Sequence, residues 1–471
     1  MVIFLLKTLP MPSIRIKIRC FAVLMLVLIQ QGSCSASIQG KIEQIIARKD
    51  QNNVEYSVMV VDAQSGKCVF SYNPAAPLTP ASNMKLVTSF TALKRLGADY
   101  KFVTKAGLID NKLVVIGGGD PLLGLAGKDF IGQITEALKT KSIEKLDSIT
   151  VDSSIFDDER VNPNWPRDQL NRPYSSEISG LNYNGNCVKI SAAGTAGKIK
   201  LTKEPDTEFL RLLNSVEPTS KGQTAIGSNR TEQENIIVVY GKCRTPSSFD
   251  VTIEKPALFF GCLLYENLNR AGISIQSPLT EIGIDRQDIQ IIAEFDTPII
   301  EVIQNCNKDS LQIAAECLLK TLAANTITGG KAGSWQAGRK AIGSYLLSLG
   351  VDKTEFYIDD GSGLSNVNKL SANAIARVIM DAYKSELWPA FKQTLAIGGV
   401  DGTIKKQFYK DRYRNRVFAK TGYINGVRAL SGICIAANGD REYIFSIITN
   451  NANYPTKKAI SDIVTTIIDE G

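Results

Sequence analysis

A serine and a lysine three residues apart, Ser82 and Lys85, form a pair that could carry out covalent chemistry. The chain contains no histidine, so a serine nucleophile here has no imidazole to act as its base. Residues three apart on a helix share one face, which brings the Lys85 amine within reach of the Ser82 hydroxyl. The same spacing recurs at Ser142 and Lys145, so spacing alone is a weak signal. Ser82 is the stronger candidate because it stands at the start of a predicted helix, directly after a proline-containing segment.

A second group of polar residues ends a predicted strand late in the chain. Lys420, Thr421 and Gly422 follow the strand residues 416–419 and precede Tyr423. A strand edge of this composition offers a cation, a hydroxyl and a backbone N–H to an anionic substrate. Taken alone, the triplet is only a strand end. Because it lies downstream of Ser-x-x-Lys in a chain without histidine, the triplet favours a site in which a serine becomes acylated.

Hydrophobic periodicity predicts the elements that must position these groups. A β-hairpin is expected over 54–72, and a helix runs from Asn83 to a glycine cap at Gly97. Helical spacing returns at 257–272, over 299–323 and at 334–350, and the chain closes with a strand, a hairpin and a helix. Between them, short strands and turns fill the middle of the chain. The pattern predicts an α/β domain of residues 37–100 and 255–471, interrupted by an inserted domain of residues 101–254.

The N-terminal residues 1–36 have the pattern of a secretory signal peptide. Basic residues precede a short apolar run, Cys20 to Ile29, which is well below the roughly 20 residues that a membrane helix needs. A signal anchor and a lipid-modified Cys34 are the alternatives, although Gln31 occupies the place where such a lipid site normally has leucine. We expect export to the periplasm or cell envelope as a soluble protein. More than half of the net charge of +7 lies in this leader, so nucleic-acid binding is not expected.

Seven cysteines follow the leader, an odd number without a Cys-x-x-Cys motif. With no histidine present, neither a metal site nor a redox motif is predicted, and no cofactor is expected. Cys187 and Cys243 are the best candidates for a disulfide, because both fall in the loop-rich middle region.

With both motifs in place, the chain resembles the D-alanyl-D-alanine carboxypeptidase/endopeptidase family of low-molecular-mass penicillin-binding proteins. The resemblance covers nearly all of the mature chain. It implies a serine β-lactamase-like transpeptidase domain, an antiparallel sheet flanked by helices, with a large and mainly β inserted lobe. The matching segments are PASNMKLVTSFTALKRLG (80–97), GGGDP (117–121), VDSSIF (151–156), LNYNGN (181–186), DGSGLS (360–365), GVDGT (399–403) and AKTG (419–422).

The resemblance also implies roles for individual residues in the cleavage of peptidoglycan stem peptides. Ser82 would attack the D-Ala carbonyl, Lys85 would take its proton with a pKa lowered by the charge of Lys420, and Ser310 would protonate the leaving amine. The backbone N–H groups of Ser82 and Tyr423 would form the oxyanion hole. Gln312, Lys420, Thr421, Gly422 and Tyr423 would bind substrate, and β-lactams would be covalent inhibitors.

Two positions depart from the family's pattern. The third motif, normally Ser-x-Asn, reads Ser310-Leu311-Gln312, and Tyr423 stands where Thr or Ser is usual. A literal Ser-x-Asn at Ser371 to Asn373 is interpreted as a helix N-cap. These departures motivate an alternative: a catalytically inactive protein of the same fold that binds wall peptides. The sequence leaves open the oligomeric state and the balance of carboxypeptidase and endopeptidase activity.

Overall fold

The structure of this chain is a computed structural model that describes residues 35–125, 127, 129–195, 197–284, 288–322, 324 and 332–471. The predicted signal peptide lies outside the described residues except for its last two positions. Within these ranges, no helix has the length and hydrophobicity needed to cross a membrane.

The described ranges contain both α-helices and β-strands. The α-helices are α1 (Ser35–Ile46), α2 (Met84–Leu96), α3 (Phe130–Thr140), α4 (Pro256–Arg270), α5 (Ile299–Lys308), α6 (Gln312–Leu322), α7 (Trp335–Ser348), α8 (Ala372–Tyr383), α9 (Trp388–Gln393) and α10 (Thr456–Glu470). The strands are β1 (Glu55–Asp62), β2 (Cys68–Tyr72), β3 (Lys101–Ile109), β4 (Lys112–Ile116), β5 (Lys145–Leu146), β6 (Ser148–Asp152), β7 (Cys187–Thr195), β8 (Lys198–Glu204), β9 (Arg211–Pro218), β10 (Ala225–Arg230), β11 (Ile236–Cys243), β12 (Ser247–Thr252), β13 (Ser274–Ile275), β14 (Thr280–Glu281), β15 (Gln290–Pro298), β16 (Phe356–Tyr357), β17 (Lys369–Leu370), β18 (Ala396–Ile397), β19 (Val417–Ile424), β20 (Val427–Ile435) and β21 (Glu442–Asn450).

An antiparallel six-stranded sheet, in the order β18-β19-β20-β21-β1-β2, forms the centre of the main domain. Side chains alternate across a strand, so β21 sends Ile444 and Ile448 to one face and Phe445 and Ile447 to the other. The first face packs against α2 and α5 to α9, and the second against α1 and α10. Strands from both ends of the chain meet in the sheet where β1 pairs with β21. The predicted fold class, an antiparallel sheet flanked by helices, is confirmed.

The strands of residues 101–254 lie outside this sheet. They form a five-stranded sheet with β14 and β15, a two-stranded sheet of β5 with β13, and two three-stranded sheets, around a core of their own. Helix α4 also packs into that core, with Phe259 and Phe260 fully buried. In the pairing of β3 with β15, Lys101 lies opposite Pro298. The first residue of β3 and the last residue of β15 are therefore neighbours in the sheet. Residues 290–298 thus share a sheet with strands of residues 101–254, and the predicted bounds of the inserted domain stay a prediction.

The helix predicted over 299–323 is two helices, α5 and α6. Ser310 lies between them with φ +61°, in the left-handed region that ends helices and that glycine usually occupies. The amide N–H of Leu311 donates to the carbonyl of Asn305 across this break, at 3.1 Å. Apolar periodicity continues through the break, which is why the sequence pattern did not reveal it.

The predicted disulfide between Cys187 and Cys243 is wrong, because both are free, buried thiols. Cys243 Sγ lies 3.9 Å from the carbonyl oxygen of Ala192, which is on the same strand as Cys187. Ala192 lies five residue steps along the strand from Cys187, roughly 16 Å at the usual rise of a strand. A disulfide requires Cα atoms within about 7 Å.

Candidate active site

Ser82 lies in a 3-10 turn, Ala81–Asn83, that leads directly into α2. Ala81 has φ +46°, a left-handed conformation that a residue with a Cβ adopts only at a cost in free energy. Such backbone strain persists where the surrounding structure enforces it, and it is concentrated at functional sites. The strained turn leaves Ser82 partly exposed beside a helix whose first residues are buried.

Two glycines from distant segments hold this turn in place. A Cβ on Gly363 would lie 1.8 Å from the carbonyl oxygen of Ala81, and a Cβ on Gly422 would lie 2.7 Å from that of Pro80. Gly363 also has φ +81°, which disfavours any other residue. Loop 360–365 and strand β19 therefore approach the backbone of the turn more closely than any larger residue would permit.

Lys85 places its amine between Ser82 and loop 360–365. Its Nζ lies 3.1 Å from the Ser82 Oγ and donates to the Ser362 carbonyl at 2.9 Å. The side chain is fully buried, and this burial lowers the pKa of Lys85, although the nearby Cys306, Glu316 and Asp360 act in the opposite direction. The predicted direction of the shift is therefore found, but burial is its main cause rather than the charge of Lys420.

A second lysine and serine meet on the other side of the site. The amine of Lys420 donates to the Ser310 Oγ at 2.9 Å and to the Thr421 carbonyl at 3.0 Å. Lys420 is also fully buried, so desolvation, followed by the charge of Lys85, holds its pKa well below the usual value for lysine. Ser310 lies at the helix break between α5 and α6, and its hydroxyl there accepts the hydrogen bond from the lysine of strand β19.

The remaining predicted residues line two cavities at the mouth of the site. Gln312 and Tyr423 line a cavity of about 420 Å³, together with Gln169 and Tyr174 of the inserted unit. Among the described residues, the Gln312 carboxamide has no hydrogen-bond partner, so it is free to contact a ligand. Thr421, Gly422 and Tyr423 line a neighbouring cavity of about 250 Å³. The exposed ring of Tyr423 borders both cavities.

Sequence reasoning missed the two buried carboxylates that support loop 360–365. Glu316 of α6 accepts hydrogen bonds from the amides of Gly361 and Ser362 at 2.9 and 2.8 Å. Asp360 accepts from the amides of Gly363 and Ser365, both at 2.7 Å. Desolvation raises the pKa of both acids, and each is fully buried. The signal available in the sequence was an acid inside the apolar stretch of α6, at 313–319.

A metal site is absent from the described ranges, which contain no group of three or more potential Cys, Asp or Glu ligands. The geometry brings together two lysine–serine pairs, Lys85 with Ser82 and Lys420 with Ser310.

Comparison with known proteins identifies relatives along nearly the whole chain. The sequence profile described as the D-Ala-D-Ala carboxypeptidase 3 (S13) family matches residues 38–470. A D-alanyl-D-alanine carboxypeptidase of Actinomadura sp. is 28% identical over 467 residues, covering 92% of this chain and 84% of that protein. The D-alanyl-D-alanine carboxypeptidase DacB of Haemophilus influenzae is 22% identical and covers 83% of this chain and 85% of its own.

The solved structures show the same fold. The crystal structure of penicillin binding protein 4 (dacB) from Haemophilus influenzae superposes with a TM-score of 0.78 at 21% identity, covering 91% of this chain and 99% of that chain. Another structure of that protein, complexed with a β-lactam, gives a TM-score of 0.71 at 20% identity, covering 90% of this chain and 98% of that chain.

Proposed function

Since the chain belongs to the D-Ala-D-Ala carboxypeptidase 3 (S13) family and is a serine peptidase of that class, we propose that Ser82 is its nucleophile and peptidoglycan stem peptides are its substrates. The observation that carries this proposal is the distance of 3.1 Å between the Lys85 amine and the Ser82 hydroxyl, with Lys85 fully buried. Burial favours the neutral amine, which is the form that accepts a proton.

In the first half of the reaction, Ser82 Oγ attacks the carbonyl of the penultimate D-Ala and its proton passes to Lys85. The negative charge that develops on the carbonyl oxygen would be stabilised by the backbone N–H groups of Ser82 and Tyr423. The carbon–nitrogen bond then breaks, and the amine of the terminal residue leaves with a proton delivered through Ser310, whose hydroxyl contacts Lys420. Thr421 and Lys420 anchor the carboxylate of the leaving residue.

In the second half, water attacks the ester on Ser82 and transfers a proton to Lys85. Lys85 passes that proton to Ser82 Oγ as the ester bond breaks, which restores the serine and releases the shortened peptide. This cycle consumes one water molecule and needs no cofactor. Labelled penicillin tests the nucleophile, because a β-lactam forms the same ester with the serine. The β-lactam complex of the Haemophilus influenzae protein supports this choice of probe. Release of D-alanine from a pentapeptide tests turnover, which the alternative of an inactive wall-binding protein does not provide.

We also propose that the chain is exported, because its leader combines basic residues with a short apolar run. Fractionation of cells that express the chain with and without residues 1–36 would test this. Recovery of the full-length chain in the cytoplasm would contradict export.

The lowered pKa of Lys85 predicts how the rate of acylation depends on pH. Acylation requires the neutral amine, so its rate should rise about tenfold per pH unit below the pKa of Lys85 and level off above it. Because burial lowers this pKa, the plateau should begin below pH 10.5, the usual pKa of a lysine. The measurement is the second-order rate constant for penicillin acylation from pH 5 to 10. A rate that is still rising in proportion to hydroxide at pH 10 would contradict the assignment.

Substitutions of Gln312 should alter the rate of turnover while Ser82 remains the nucleophile. Its carboxamide lies one methylene farther from the backbone than that of an asparagine, and a displacement of about 1 Å in a positioning group can cost up to 100-fold in rate. We expect slow D-alanine release by the natural chain, faster release by Gln312→Asn and slower release by Gln312→Ala. An unchanged or lower rate in Gln312→Asn would mean that the cavity has adapted to glutamine.

A further inference from the structure

A groove extends outward from Thr421, which the proposed function places at the carboxylate of the leaving residue. The cavity of about 250 Å³ that begins at Thr421 is also lined by Gln407, Arg428 and Lys457. These last three residues and Tyr423 line a second cavity of about 680 Å³ farther out. The two cavities therefore form one groove, here called the leaving-side groove, which starts at the residue proposed to hold the substrate carboxylate.

The leaving-side groove carries unneutralised positive charge. Lys406, Arg428 and Lys457 line it, and within the described part of the chain none of these cations has a carboxylate oxygen within 4.0 Å. No aspartate or glutamate lines either cavity. Lys458, at the outer end, differs because it pairs with Asp462 at 2.7 Å. The charge of the three free cations is therefore available to an anionic ligand.

Arg428 is held in position by its neighbour across the sheet. It pairs with Tyr423 in the register of β19 and β20, and its guanidinium lies 4.7 Å from the centre of the Tyr423 ring. Stacking on an aromatic ring orients a guanidinium while leaving its N–H donors free. The tyrosine that replaces the usual hydroxyl residue thus brings an arginine to the rim of the site.

The size and charge of the groove suggest which leaving group it accepts. A terminal D-alanine has one carboxylate and one methyl group, which Thr421 and Lys420 at the inner end already accommodate. A neighbouring stem peptide, linked through its side-chain amine to the D-Ala carbonyl, is larger and carries further carboxylates. Only the second leaving group extends far enough to meet the cations of the outer cavity.

We infer that Lys406, Arg428 and Lys457 form a subsite that binds the carboxylates of a neighbouring stem peptide when a cross-link is cleaved. The inference rests on the proposed function. The amide between the D-Ala carbonyl and the neighbour's side-chain amine breaks, the acyl group passes to Ser82 Oγ, and the neighbour leaves as a protonated amine. Water then hydrolyses the ester, as in the cleavage of a linear peptide.

The test compares two substrates, a linear pentapeptide ending in D-Ala-D-Ala and a D-Ala-cross-linked peptide dimer. For the double variant Lys406→Gln/Lys457→Gln, we expect kcat/KM for the dimer to fall about tenfold and that for the pentapeptide to fall less, so that their ratio drops at least about threefold. Added salt should lower the ratio in the natural chain and have little effect in the double variant. Lys405→Gln is the matched control, because Lys405 is exposed, adjacent in sequence and absent from the lining of both cavities.

Penicillin acylation, measured in parallel, distinguishes a failure of the subsite from a failure of the proposed function. Normal acylation of Ser82 with an unchanged ratio of the two kcat/KM values in the double variant would overturn the subsite alone. A natural chain that penicillin does not acylate would overturn the proposed function, and the subsite with it. An equal fall in the ratio of the two kcat/KM values in Lys405→Gln would also overturn the subsite. The effect would then come from net charge rather than from the groove.

Discussion

Ser82→Ala and Lys85→Met should each reduce covalent labelling by penicillin by about 10⁴-fold or more, because nucleophile and base act as a unit. Ser82→Ala removes the attacking oxygen. Lys85→Met keeps an unbranched side chain in the buried site but removes the amine that lies 3.1 Å from Ser82. The measurement is the rate of labelling by a fluorescent penicillin, followed by mass spectrometry of the labelled peptide.

Ser142→Ala is the matched control for this prediction. Ser142 has the same Ser-x-x-Lys spacing, but it lies in a turn after α3 with φ +57°, and its Lys145 begins strand β5. The two side chains therefore do not share a helix face, and labelling should be unchanged. Label that persists in Ser82→Ala, or that maps to Ser142, would overturn the assignment. Thermal unfolding of each variant would show whether lost labelling reflects a lost fold.

Gly363→Ala should slow acylation by about 100-fold, although residue 363 has no side chain to take part in the reaction. The added Cβ would lie 1.8 Å from the Ala81 carbonyl oxygen, so either loop 360–365 or the Ser82 turn must move. Backbone atoms cannot avoid such a clash by changing rotamer, and a displacement of about 1 Å in a reacting group costs on the order of 100-fold in rate. The second-order acylation rate and the melting temperature are the two measurements.

Gly439→Ala is the control for the strain of a left-handed alanine without a clash. Gly439 has φ +84°, close to that of Gly363, but an added Cβ there would meet no atom within 4 Å. Both substitutions incur the strain of a left-handed alanine, about 1–2 kcal/mol, and only Gly363→Ala adds the clash. Acylation by Gly363→Ala at the rate of Gly439→Ala would show that the close approach does not position Ser82.

Local patterns were sufficient to predict most of the elements that hold the site. Helical spacing after Asn83 and the glycine at 97 predicted α2 closely, because such patterns depend on residues within one or two turns. Alternating residues likewise predicted the hairpin of β1 and β2. Local patterns did not predict the helix break at Ser310, since the left-handed residue lies inside a stretch whose apolar periodicity is uninterrupted.

The amino-acid sequence by itself determined which chemical groups are available: a serine and a lysine one helical turn apart, a lysine at a strand end, and no imidazole. Only the tertiary structure decided that Lys85 and Lys420 are fully buried, and this burial is the main cause that lowers both pKa values. It also decided that Cys187 and Cys243 lie apart and that β15, which ends at Pro298, pairs with β3. Burial and contacts of this kind depend on residues that are distant in the chain, so no local sequence pattern predicts them.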